Sequence, residues 1–154
     1  NKQSILLLGI GNCGRNDAGL GWQFVDMFNS NGPDNIDLEY RYQLQVEDAL
    51  LISNFDIVLF ADATHTELQH GFEIKPCLPA SHYFFSSHAQ SPETILYLAG
   101  ELFQKKPEGY TIAISGYNWG LGTNISKEAA TNLESSFHFF MNEFLPALHR
   151  VYVD

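Results

Sequence analysis

Positive charge is what this chain has least of. Its 154 residues carry 8 Lys plus Arg against 18 Asp plus Glu, a formal net charge of -10, so it has no basic composition with which to grip nucleic acid or an anionic membrane. Cysteine is scarce too. Cys13 and Cys77 are the only 2, which excludes a disulfide framework, and a domain this size buries a core without staples. No apolar stretch is long enough to cross a bilayer, and no apolar leader is recognisable. The expectation is therefore a cytoplasmic protein of a reducing compartment. Repeats, low-complexity tracts and linkers are also missing, so residues 1–154 are expected to form a single domain.

The most informative stretch runs from Ile5-Leu6-Leu7-Leu8 into Gly9-Ile10-Gly11-Asn12-Cys13-Gly14-Arg15-Asn16-Asp17-Ala18-Gly19-Leu20-Gly21-Trp22. Four apolar residues in a row suit a central strand covered on both faces, and the glycines behind them let the backbone turn sharply against a bound group. Alternation of patterns continues along the chain. Strands are expected over 4–9, 36–42, 56–62, 71–75 and 110–115, the fourth an edge strand stopped by Pro76 and Pro79. Helices are expected over 19–29 and 47–53. Another follows the cap Ser91-Pro92-Glu93, and a long last one opens at Ser126 with Leu133, Phe137, Phe140, Met141, Phe144, Leu145 and Leu148 on its apolar face. Together these predict an α/β fold, a three-layer sandwich whose mostly parallel twisted sheet of about five strands has helices on both faces. Ligands in such folds lie beyond the carboxyl ends of the strands.

Gly9-Ile10-Gly11-Asn12-Cys13-Gly14 spells the GxGxxG dinucleotide fingerprint, and Glu39 near the end of the next strand is a possible ribose partner. The residues that follow argue against it. Gly19 and Gly21 would each weaken a first helical turn by about 1 kcal/mol relative to alanine, so the helix should begin late and the loop should be long.

The whole string GIGNCGRNDAGLGW resembles the GxGNxxRxDDGxG signature of the nickel-iron hydrogenase maturation endopeptidases. Further landmarks follow in family order over about residues 5 to 130. Tyr42-Gln43-Leu44-Gln45-Val46-Glu47 is similar to a QLxxE segment, Phe60-Ala61-Asp62-Ala63 to a strand-end DA, and His88-Ala89-Gln90-Ser91-Pro92-Glu93 to HxxxPE. Ile114-Ser115-Gly116 and Gly122-Thr123-Asn124-Ile125-Ser126 are similar to IxG and GxxLS.

The resemblance implies an endopeptidase that clips a C-terminal extension from the precursor of a hydrogenase large subunit once nickel has been inserted. The precursor is then the partner, and nickel arrives with it. In the family an acid of the first loop, an Asp at the end of the third strand and a later His meet the nickel. Asp62 and His88 match the last two and become the expected catalytic and metal-facing residues. The acid does not carry over, because aligning GN with GN puts it on Ala18 and leaves Asp17 as the nearest carboxylate. Three outcomes stand open: Asp17 swings into the vacancy, Glu47 or His65 supplies the missing group, or cleavage has been lost and the fold kept.

Each residue also has a plainer reading. Asp17 can cap the following helix, and His88 can be a solvated loop histidine. A carboxylate at Asp62, ending an apolar strand, needs a partner and suits a site. His65, Glu67 and His70 fit polar surface, Cys13 a small packed thiol, and His82, His138 and His149 lack a neighbouring acid pattern. Two alternatives of other classes accompany the peptidase: a non-catalytic relative that binds the precursor or a small ligand, and a dinucleotide-binding module.

Overall fold

The computed structural model describes residues 3–32, 35–83 and 90–148. The chain alternates as its pattern predicts: β1 (Ile5–Ile10), a 3-10 turn (Asn16–Gly19), α1 (Leu20–Asn31), β2 (Ile36–Arg41), α2 (Asp48–Ile52), β3 (Ile57–Thr64), β4 (Phe72–Cys77), α3 (Pro92–Phe103), β5 (Glu108–Ser115) and α4 (Lys127–Phe139). The five strands form one sheet in the order β2-β1-β3-β5-β4. β1 pairs in parallel with β2 and β3, β3 pairs in parallel with β5, and only β4 runs antiparallel, against β5.

The apolar run of the first strand now has its cause. β1 is flanked on both edges, and all of its residues are buried. Ile5 and Leu7 point into one core layer with Phe24 and Phe28 of α1 and Leu133 and Phe137 of α4. Leu6, Leu8 and Ile10 point into the other with Ala49 and Ile52 of α2 and Ile95, Leu96 and Ala99 of α3. Each large side chain so removed from water contributes roughly 1.5–3 kcal/mol. In the first layer Phe140 meets Phe24 edge to face at 5.3 Å and Phe28 at 6.0 Å, contacts worth about 0.5–1.5 kcal/mol beyond their area.

Most element ends shift by one or two residues from expectation, and three differences have a physical cause. β4 continues through Pro76, which pairs with Tyr110, instead of stopping before it; an edge strand tolerates the missing N–H. β3 continues to Thr64, so Asp62 lies inside the strand's pairing, opposite Ala113. The last helix is interrupted by a π turn at Phe140–Phe144. The extra residue in that turn resets the helical phase, and Phe140, Leu145 and Leu148 are all buried.

The strand order places the site. From β1 the chain crosses through α1 to β2, then through α2 on the opposite face to β3 on the far side of β1. The sheet's winding reverses between β1 and β3, and a crevice opens beyond their carboxyl ends. Gly21 lets α1 begin there: a Cβ on it would meet the carbonyl oxygens of Ile10 and Ala61, each at 2.4 Å.

Candidate functional site

A cleft of about 380 Å³ occupies that crevice, lined by Ile10, Gly11, Asn12 and Ala18 from the first loop, Tyr42, Gln43 and Leu44 after β2, Asp62, Ala63 and His65 of the third strand and its exit, Gln90, Pro92 and Trp119. The segments that carried the sequence motifs therefore converge. Leu44 and Gln90 form an antiparallel bridge, with the Gln90 N–H donating to the Leu44 carbonyl at 3.1 Å.

Asp62 stands at the centre of this arrangement. Its Oδ1 accepts the Ala63 N–H at 2.8 Å, and among the described residues its Oδ2 accepts nothing. Asp62 is exposed at the cleft surface, and the walls on either side crowd part of the water from its carboxyl. That desolvation pushes its carboxyl up to about 7, against a smaller opposing pull from the Ala63 hydrogen bond. A carboxylate that titrates near neutrality and holds a free oxygen toward a cleft is suited to bind a cation or exchange a proton.

Asp17 has another task, which removes it from the expected metal set. It is fully buried. Oδ2 accepts the Tyr117 N–H at 2.7 Å, the Asn118 N–H at 2.9 Å and the Ser126 hydroxyl at 2.7 Å, while Oδ1 accepts the Ser126 N–H at 2.7 Å. Burial alone would raise its pKa; the hydrogen bonds from Ser126, Tyr117 and Asn118 outweigh it and hold the carboxyl below the usual range. Nor does Asp17 cap the helix, since the residue before α1 is Gly19 and no side chain caps it. Asn16 works beside it. In a left-handed conformation (φ 50°), it donates from Nδ2 to the Gly120 carbonyl at 2.9 Å and accepts the Asn124 N–H at 3.1 Å. The first loop is thereby zipped to residues 116–126, and the IxG and GxxLS segments are the other half of that zip.

Ala18, next to Asp17, does line the cleft, so the position where the resemblance puts an acid presents a methyl group. Of the two substitutes proposed for it, His65 lines the cleft and Glu47 does not. The His65 ring stacks on Trp119, centroids 3.8 Å apart and planes 23° from parallel. Sequence reasoning missed Trp119 as a site residue; it lies in a loop with no periodicity, and the one available signal was its place between Gly116 and Gly122. His88 lies outside the described residues, as does His149. Among the described residues no three His, Cys, Asp or Glu side chains are grouped to hold a metal ion. Cys13, Glu67 and His70 are off the cleft, and His138 pairs with Glu134 at 4.0 Å.

The dinucleotide reading fails on backbone geometry. A pyrophosphate needs free N–H groups at the glycine loop, but those of Gly11, Asn12, Arg15, Asn16, Asp17 and Ala18 donate to Arg41, Ala18, Asn12, Gly122, Asn118 and Arg15 carbonyls, and that of Gly14 to Asn12 Oδ1. Glu39 is engaged as well, 3.0 Å from Arg41.

Solved structures share this architecture. The NiFe hydrogenase maturation protease HycI from Thermococcus kodakarensis superposes with a TM-score of 0.68 at 20% identity, over 91% of this chain and 91% of that one. This chain has the fold of the hydrogenase maturation proteases. The maturating endopeptidase HybD from E. coli gives 0.70 at 16% identity, covering 96% and 93%. The hydrogenase 2 maturation peptidase from a Thaumarchaeota archaeon gives 0.66 at 17%, covering 92% and 98%. No family model and no curated protein matches the sequence. The fold that the resemblance implied is the fold these structures share.

Proposed function

We propose that this protein is an endopeptidase that removes the C-terminal extension of a hydrogenase large-subunit precursor carrying nickel. The observation that carries the reading is Asp62, on the strand next to β1 at the winding reversal, with an unpartnered oxygen among the described residues, in a cleft lined by the glycine loop, the segment after β2, the end of β3 and the start of α3. Carboxylate and imidazole donors suit a borderline divalent ion such as nickel. Asp62 would meet the ion in the substrate, with His88 as the second contact the resemblance implies. Peptide hydrolysis adds water across the scissile bond, and the cleft of about 380 Å³ beside Asp62 is where that bond would have to lie. The two unpaired thiols, Cys13 and Cys77, fit a reducing cytoplasm, and no described helix is long and apolar enough to cross a membrane.

The test is a precursor prepared with and without nickel, read by intact mass. Tail loss from the loaded form alone is expected, and Asp62→Ala should abolish it; cleavage that survives this change sinks the reading. A second reading is favoured by Ala18, which gives the cleft wall no donor: a relative that binds the precursor without cutting it. Stable complex formation with no mass change would establish that one.

A further inference from the structure

We propose that His65, held in place by Trp119, supplies the donor that position 18 lacks, so that Asp62 and His65 together grip a borderline divalent cation. This inference rests on the reading of the cleft given above and replaces its vacant contact with a residue of this chain. Asp62, His65 and Ala18 line one cavity, whereas Glu47, Cys13 and His70 do not.

The stacking geometry suits ligation. Trp119 covers the face of the imidazole, but a metal binds in the ring plane through a nitrogen lone pair, so the stack fixes the ring without using its donors. Among the described residues neither ring nitrogen of His65 makes a hydrogen bond, and Asp62 Oδ2 is equally unengaged.

The platform itself is fixed. The N–H groups of Tyr117 and Asn118 are tied to Asp17, and the Gly120 N–H donates to Asn118 Oδ1 at 3.2 Å, so anchors bracket Trp119 on both sides. Gly116 lets the indole close down, since a Cβ there would lie 2.9 Å from both the Trp119 ring and Asp17 Cβ. A donor oriented by such a supporting shell typically gains tenfold or more in metal affinity. Carboxylate plus imidazole selects nickel- or zinc-like ions over calcium, which prefers an all-oxygen shell.

The experiment titrates the intact chain with nickel sulfate alone by calorimetry and records the visible spectrum of a cobalt(II) complex. His65→Gln is expected to weaken nickel binding about tenfold and to alter the cobalt bands, Trp119→Leu to weaken it by a smaller factor, and His70→Gln, off the cleft, to change neither. Adding Ala18→Glu to His65→Gln should restore affinity by returning a donor to the same cavity. Circular dichroism melts confirm that each variant folds. Nickel binding in His65→Gln equal to that of the wild type overturns the proposal, as does equal weakening by His65→Gln and His70→Gln, or no binding by the wild type at millimolar nickel. Precursor cleavage separates this from the broader reading. His65-dependent nickel binding without cleavage retires the peptidase and leaves the grip, and cleavage with nickel binding indifferent to residue 65 does the reverse.

Discussion

Ser126 meets Asp17 twice across 109 positions of sequence, its N–H and its hydroxyl each donating to a different carboxylate oxygen at 2.7 Å. The same hydroxyl accepts the Ala129 N–H at 3.3 Å and caps α4. One serine thus starts the last helix and ties it to the first loop, so the glycine loop, the Trp119 loop and α4 form one rigid unit at the cleft. Asp17→Ala would take the acceptor from three part-buried N–H donors, those of Tyr117, Asn118 and Ser126. The expected loss is about 2–3 kcal/mol in urea unfolding, and Ser126→Ala should lose less, because the backbone bonds remain.

The same carboxylate sets acid behaviour. Its native pKa lies below the unfolded value of 3.8, so its contribution is present above 3.8 and is lost as pH falls through the lower native value. Wild type should therefore lose melting temperature steeply below pH 4, and the loss should be shallower in Asp17→Asn.

Asp62 works in the opposite direction. With a native pKa of about 7 against 3.8 unfolded, the folded state holds the extra proton between those values. Stability is therefore highest below 3.8 with respect to this group, falls as pH rises to about 7, and is flat above that. Asp62→Asn should match wild type near pH 4 and melt higher at pH 8. A gap that does not widen over that range would show that the carboxyl is not desolvated.

Two glycines should answer alanine in opposite ways. Gly21→Ala drives a methyl onto two backbone carbonyl oxygens that cannot yield, and a loss of about 2–3 kcal/mol is expected. Gly100, inside α3 with nothing nearer than 3.9 Å, should gain about 0.5–1 kcal/mol from the same change. Denaturant midpoints on the two variants decide it.

How much was legible in the sequence depends on how local each signal is. The β1 run, the Ser91-Pro92 cap and the Ser126 cap are written in neighbouring residues, and the structure places them as read. The place of Asp62 at the cleft was legible because a carboxylate directly after an apolar run is locally anomalous, although the strand itself continues to Thr64. The role of Asp17 was not, because its partners are 100 to 109 positions away, and a capping aspartate and a buried anchor look the same in one dimension. Trp119 was hidden for a related reason: its significance lies in the ring it covers, not in its neighbours. The π turn carries no glycine or proline, the usual local marks of a helix irregularity.

Ala18→Glu is the change that asks most of the proposed function. The position already lies on the cleft wall with Asp62, so a carboxylate there is placed at the same cavity. A second carboxylate beside Asp62 and the imidazole adds both charge and a coordination bond, and nickel affinity should rise in calorimetry with the fold unchanged. If wild type already cleaves the nickel-loaded precursor, the variant should do so at least as well. Cleavage by Ala18→Glu alone would show that the acid implied by the resemblance is the missing part and that the natural chain is a binding protein without cleavage activity. Unchanged affinity in a folded variant would mean that the cation, if bound, sits beyond reach of residue 18, and the alignment that puts the acid there would be wrong.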